Sequence, residues 1–180
     1  MEIKVELSIF ERRVWHEAGH ATMALCLNQR VSKIAVYNPD DLSTLAAGSS
    51  REFDDGGETG VLYASLEEKS KHRRDVICGG YAAECLLVRE GRLQFLSAED
   101  AEKYSKTTCS DDLLRYFQKD HARELPEGAW GKFRAAGALL AGYLLVGRPR
   151  KILGLIANEI IHIGGGALTE ERIKELLINT

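Results

Sequence analysis

The stretch VWHEAGHATMAL, Val14 to Leu25, sets two histidines and a glutamate inside an otherwise apolar run, and no other feature restricts the fold as much. Wound as a helix at about 100° per residue, Val14, Ala18, Ala21 and Leu25 form one apolar stripe. His16 and His20 then point to nearly the opposite side, beside Met23 and Leu27. From Val14 to Asn28 no other residue carries a charge or an imidazole, so protein should surround this helix on most sides. A carboxylate and two imidazoles in such a place are costly unless something pairs with them. His16 and His20 lie one turn apart, close enough to hold one metal ion, and a zinc ion would meet the need, with Glu17 beside it.

A catalytic zinc takes three protein ligands and keeps its fourth position for water. The third ligand must come from elsewhere in the chain. His72, His121, His162, the four cysteines and the acids of the later helices are all candidates. TTCSDDLLR, Thr107 to Arg115, is the best local source, because Ser110 can cap a helix and leave Asp111 and Asp112 in its first turn. Both aspartates read equally well as ordinary helix-start acids. Cys26, Cys78, Cys85 and Cys109 have no CxxC spacing and read as buried, reduced thiols. Cys109, close to Asp112, is the one that could close a metal site.

Local signals place that motif in a mainly α chain with a small β-sheet, an α+β class, over one domain spanning residues 1–180. Ser8 with Glu11 fits a capping box opening a helix that runs to about Asn28. VSKIAVY reads as a strand with Ile34 and Val36 on one face, and TGVLYA as a second strand of the same sheet. Between them, Asn38 to Thr59 reads as a long loop, a substrate lid or an insertion. Everything after Ala64 looks helical. Ser65 and Glu68 suggest a second capping box for a helix to about Val88, interrupted at Gly79 and Gly80, where close backbone packing is expected. Further helices are expected at 97–106, 110–124, 129–146, 149–163 and 169–178, with Pro149 and Gly164 to Gly166 as breaks.

The composition excludes some classes. At 44% hydrophobic and 28% charged residues the chain is neither disordered nor collagen-like. A net charge of -3 argues against a nucleic-acid partner bound by phosphate neutralisation. The longest weakly polar run, Ala135 to Val146, is too short for a membrane span. MEIKVELSIFERR lacks the apolar core of a signal peptide, so a cytoplasmic location is the expectation.

Several segments together resemble the peptidase domain of the FtsH family of ATP-dependent zinc metalloproteases. ERRVWHEAGHATMAL looks like its zinc helix and KIAVYNP like the strand that follows. ICGGYAAECL is similar to the family's GGRAAEEL segment, and TTCSDDLLR to TTGASNDLKR, whose aspartate supplies the third zinc ligand. The closing run from Leu144 to Leu177 follows the family's last helices less specifically. The resemblance implies a zincin-type peptidase fold, Zn2+ held by His16, His20 and Asp112, and Glu17 as the catalytic base. It also aligns Glu84 with a family glutamate, here a carboxylate that could orient a histidine. Tyr81 and Cys85 depart from the pattern. No GxxxxGK[ST] phosphate loop occurs, and the family's membrane anchor has no counterpart in the sequence.

The expected function is thus a zinc metalloendopeptidase acting on flexible or unfolded polypeptides, alone or with a separate ATPase partner. An extended substrate would add to the sheet edge along Thr59 to Ala64. Family members form hexameric rings, which leaves a homo-oligomer open. The rival expectation is a non-catalytic interaction or regulatory domain with a structural zinc, its fourth position filled by Cys109.

Overall fold

A computed structural model describes residues 7–38 and 57–178. Most of the expected loop from Asn38 to Thr59 lies outside the described residues. Within them the chain is mainly helical with a small antiparallel sheet, in the order α1 (Ile9–Cys26), β1 (Arg30–Val36), β2 (Gly57–Leu62), α2 (Leu66–Arg89), α3 (Ala98–Thr108), α4 (Ser110–Phe117), α5 (Ala129–Leu144), α6 (Gly147–His162), β3 (Gly166–Thr169) and α7 (Glu170–Leu177). No helix among the described residues is long and apolar enough to cross a membrane.

The central helix begins where its local chemistry dictates. Glu11 N–H donates to Ser8 Oγ at 3.1 Å and Ser8 N–H to Glu11 Oε2 at 2.8 Å, which satisfies two orphan donors of the first turn. It ends at Cys26, two residues before the expected limit, because Asn28 adopts a left-handed φ of 58°.

The sheet has the order β2-β1-β3, with Ile34 facing Thr59 on one side and Leu168 on the other. The strand β3 departs from the expectation that only helices follow Ala64. Gly164 and Gly165 before it and its first residue, Gly166, all have positive φ, so they turn the chain from α6 back onto β1 rather than merely ending a helix. With partners on both edges and packing from α1 and α7, β1 buries Ile34, Ala35 and Val36 in succession. A period-two pattern with one buried face therefore describes only part of this strand.

The long helix α2 lies along α1 and is not interrupted at its glycine pair. A Cβ on Gly79 would stand 2.6 Å from the carbonyl oxygen of Gly19. Glycine at both positions lets the two backbones touch, and that contact sets His16 and His20 against the middle of α2. Against α1, α6 buries Ile152, Leu153, Ile156 and Ile160, each contributing roughly 1.5–3 kcal/mol. Pro149 sits in the first turn of α6, where its missing N–H leaves no helical bond unmade, so the helix starts at Gly147 rather than after a break.

Two further boundaries differ from expectation. The segment expected as one helix from 110 to 124 stops at Phe117, where Gln118 takes a φ of 57°, and a single 3-10 turn follows at Ala122–Glu124. At the start of α2, Ser65 Oγ accepts from Glu68 N–H, but Glu68 does not return the bond. Its carboxylate accepts from Gln29 Nε2 at 3.2 Å and lies 3.1 Å from His72 Nε2.

Candidate metal centre

Helices α1 and α4 bring three side-chain atoms to one point. His16 Nε2 and His20 Nε2 are 3.1 Å apart, and Asp112 Oδ2 lies 3.1 Å from the first and 3.2 Å from the second. Each imidazole is fixed from behind. His16 Nδ1 faces Glu84 Oε1 at 2.8 Å and His20 Nδ1 faces the carbonyl oxygen of Val76 at 2.9 Å. The Val76 carbonyl is closer to His20 Nδ1 than the Gly80 N–H at 3.3 Å, and Glu84 has no proton to give, so in the neutral rings both Nδ1 atoms are donors and both Nε2 atoms present lone pairs.

Two lone pairs and a carboxylate oxygen therefore converge. A single proton can bridge one pair of them, and protonating both imidazoles would set two N–H groups against each other. One divalent cation satisfies all three at once. Ligands about 2.0–2.1 Å from a tetrahedral zinc are separated by roughly 3.3 Å, close to the triangle formed here. The residues present could hold a metal ion.

The site's attraction for positive charge shows in its protonation equilibria. Burial opposes the charged form of His16, yet hydrogen bonds to Asp112 and Glu84 outweigh it and raise the pKa well above its ordinary value. His20 is raised in the same way, against burial, by Asp112. Burial likewise disfavours the Asp112 carboxylate, but His20 and His16 hold its pKa well below the usual range.

A second layer of contacts holds the ligands. Glu84 of α2 accepts from His16 Nδ1 and, through Oε2, from Thr108 Oγ1 at 3.2 Å. Cys109 is fully buried, with its thiol 4.0 Å from Glu84 Oε1. Burial, with the nearby charges of Glu84 and Asp112, pushes that thiol well above its ordinary pKa, so it stays protonated behind Glu84. His16, Glu84 and Cys109 form a second cluster of metal-capable groups, but there the Glu84 carboxylate already accepts from His16 Nδ1 and Thr108 Oγ1.

Glu17 occupies the opposite flank. His16, Glu17 and His20 offer ligand atoms within 4.8 Å of one another. Thr59 Oγ1, on β2, donates to Glu17 Oε2 at 2.6 Å and also lies 3.1 Å from the Glu17 carbonyl. Gly57 leaves the room: a Cβ there would stand 2.6 Å from Glu17 Cγ. The whole arrangement opens into a cleft of about 1080 Å³ lined by α1, β2, α2 and α4.

The structure thus brings together His16, Glu17, His20, Glu84 and Asp112, while Asp111 is exposed on the cleft wall. His72, His121 and His162 do not line the cleft. His72 is half-buried beside Glu68. Trp15 packs in the core, with the Arg92 guanidinium 4.5 Å from its ring centre, and Trp130 stacks on Phe133. Thr108, Gly57 and the Val76 carbonyl were not legible as parts of the site, since no local pattern marks them; Gly80 was marked only as a packing contact and Thr59 only as part of a sheet edge. No protein-family model matches the chain, and no curated protein matches it in sequence.

Proposed function

We propose that the protein is a zinc-dependent metalloendopeptidase that hydrolyses flexible or unfolded polypeptides, similar to an FtsH peptidase domain working without an ATPase module in the same chain. The observation that carries this reading is the convergence of His16 Nε2, His20 Nε2 and Asp112 Oδ2, with the Glu17 carboxylate beside them in an open cleft. His16, His20 and Asp112 would hold the zinc. When bound, it supplies Lewis acidity, polarising the scissile carbonyl and lowering the pKa of water towards about 7. Glu17 accepts the proton of the attacking water and delivers it to the leaving amine. Thr59 anchors one oxygen of that carboxylate, and the other takes the proton. Glu84 and the Val76 carbonyl keep the histidine protons on Nδ1, so that Nε2 faces the cleft.

The sheet supports the same reading. β2 has β1 on one side and no strand on the other among the described residues. Gly57, Glu58, Thr59 and Val61 of β2 line the cleft, and an extended peptide would add to this strand. Folded substrates would need a separate ATPase to unfold them.

The test is cleavage of casein by the zinc-loaded protein beside Glu17→Gln carrying equal zinc. The expected result is cleavage by the wild type and a loss of at least about 100-fold in the variant, the usual worth of a positioned general base. Equal rates would refute the role of Glu17. Zinc binding by both with cleavage by neither would favour a non-catalytic zinc domain.

A further inference from the structure

The cleft around the centre carries charge that the proposed chemistry does not use. Its walls include Arg13 of α1, Lys69 and Arg73 of α2 and Arg115 of α4. None of these four has a carboxylate within 4.0 Å among the described residues, while Glu58 on the same wall is paired with Lys33 at 3.2 Å. The deeper carboxylates are committed: Glu17 to Thr59, Glu84 to His16, and Asp112 to both histidines. Among the lining acids Glu17 and Asp111 have no described ion-pair partner, and Glu17 is held instead by the Thr59 hydroxyl. Position makes the four cations more than scattered surface charge. Arg13 lies one turn before His16, Arg73 one turn before Val76 and Arg115 one turn after Asp112, so three helices each present a cation beside the residue that builds the centre. The same walls carry five carboxylates, but four of these have described partners, whereas the four cations have no described carboxylate partner and are what remains to draw in the opposite sign.

We infer that this cleft selects acidic polypeptide segments, with Asp or Glu side chains of the substrate meeting Arg13, Lys69, Arg73 and Arg115 while its backbone runs along β2. The inference rests on the peptidase reading and adds a substrate class to it. A nucleic acid fits less well, because it has no backbone amides for the β2 edge and its phosphates would pass the carboxylates of Glu17, Asp111 and Asp112.

The experiment uses zinc-loaded Glu17→Gln, which should bind without cutting, and two fluorescent unstructured peptides. One carries Asp and Glu on both sides of an apolar centre, and the other has Asn and Gln at the same places. Anisotropy titration at about 50 mM salt should show at least about tenfold tighter binding of the acidic peptide. That ratio should shrink towards one at about 500 mM salt. It should also shrink when Arg73→Gln and Arg115→Gln are added together, in protein shown by circular dichroism and zinc content to be folded. The salt series needs no variant, so a misfolded variant does not remove the test. Equal binding of the two peptides at low salt overturns the inference, as does displacement of the acidic peptide by an equal concentration of single-stranded oligonucleotide. Wild-type cleavage of both peptides at one rate would keep the peptidase reading and sink the acidic preference. Salt-sensitive acidic binding with no cleavage would keep the preference and sink the peptidase reading.

Discussion

Replacing Gly80 with alanine adds one methyl group where α2 touches His16. The new carbon would stand 2.6 Å from His16 Cε1 and 2.7 Å from Cδ2, whereas carbon atoms rest about 3.5–4.0 Å apart. The ring must yield by about 1 Å. Metal sites tolerate errors of about 0.2 Å, so His16 Nε2 would leave its place 3.1 Å from both His20 Nε2 and Asp112 Oδ2. Losing one ligand of three should weaken zinc at least about 100-fold, or about 2.7 kcal/mol. The effect on folding is smaller, since alanine gains about 1 kcal/mol over glycine within a helix against about 1–3 kcal/mol for overpacking. Gly142→Ala in α5 is the matched control. No atom lies within 4 Å of its new methyl, so it should stabilise the fold by up to about 1 kcal/mol and leave zinc affinity alone. Competition with a fluorescent chelator measures affinity, and urea unfolding in EDTA measures the fold. Wild-type zinc affinity in Gly80→Ala would refute either the close approach or the place of His16 in the centre.

Three further outcomes follow from the same contacts. Glu84→Gln keeps an acceptor for His16 Nδ1 but loses its charge, and zinc affinity by chelator competition should fall about 10–100-fold; an unchanged value would leave Glu84 a merely structural group. Thr59→Val removes the 2.6 Å bond to Glu17, and casein turnover should show kcat lowered about tenfold with zinc content and KM retained, whereas a change in KM alone would place Thr59 in substrate binding instead. In zinc-free protein His16 and His20 have raised pKa values, so their contribution is fully present below 6.5 and is lost as pH rises through the folded values. Asp112, held below 3.8, contributes above that value and loses its contribution as pH falls through the folded one. Urea midpoints in EDTA should therefore decline on the alkaline side, and a steady rise from about pH 5 to about pH 9 would contradict the assignment.

What the sequence disclosed was mostly what neighbours along the chain decide. The capping box of Ser8 and Glu11 and the one-turn spacing of His16 and His20 involve residues three and four apart, and both were readable. The capping box at Ser65 was readable only in half, because Glu68 is claimed by Gln29, a residue 39 positions away. β3 has four residues, GALT, with no alternating pattern, and becomes a strand only because β1 offers it an edge. For the third carboxylate the local pattern left Asp111 and Asp112 equal in the first turn of α4 and only the family resemblance pointed to Asp112; the packing of that helix among its neighbours is what turns Asp112 to the histidines. Thr59 reads as an ordinary strand residue until β2 is laid against Glu17. Gly79 and Gly80, in contrast, announced a close approach, but not that the Gly19 backbone and the His16 ring would be what came near.

Asp112 joins the histidines across 96 residues of chain from His16. An ion gripped at both ends of that interval acts as a removable cross-link. By loop-closure reasoning, tying off a loop of about 100 residues takes roughly 4–5 kcal/mol of conformational freedom from the unfolded chain. Zinc occupancy and resistance to unfolding would then rise together. A peptidase that cuts only loosened chains would be most active in the state in which its own chain is least open to attack, and a molecule that lost its ion would become at once inert and digestible.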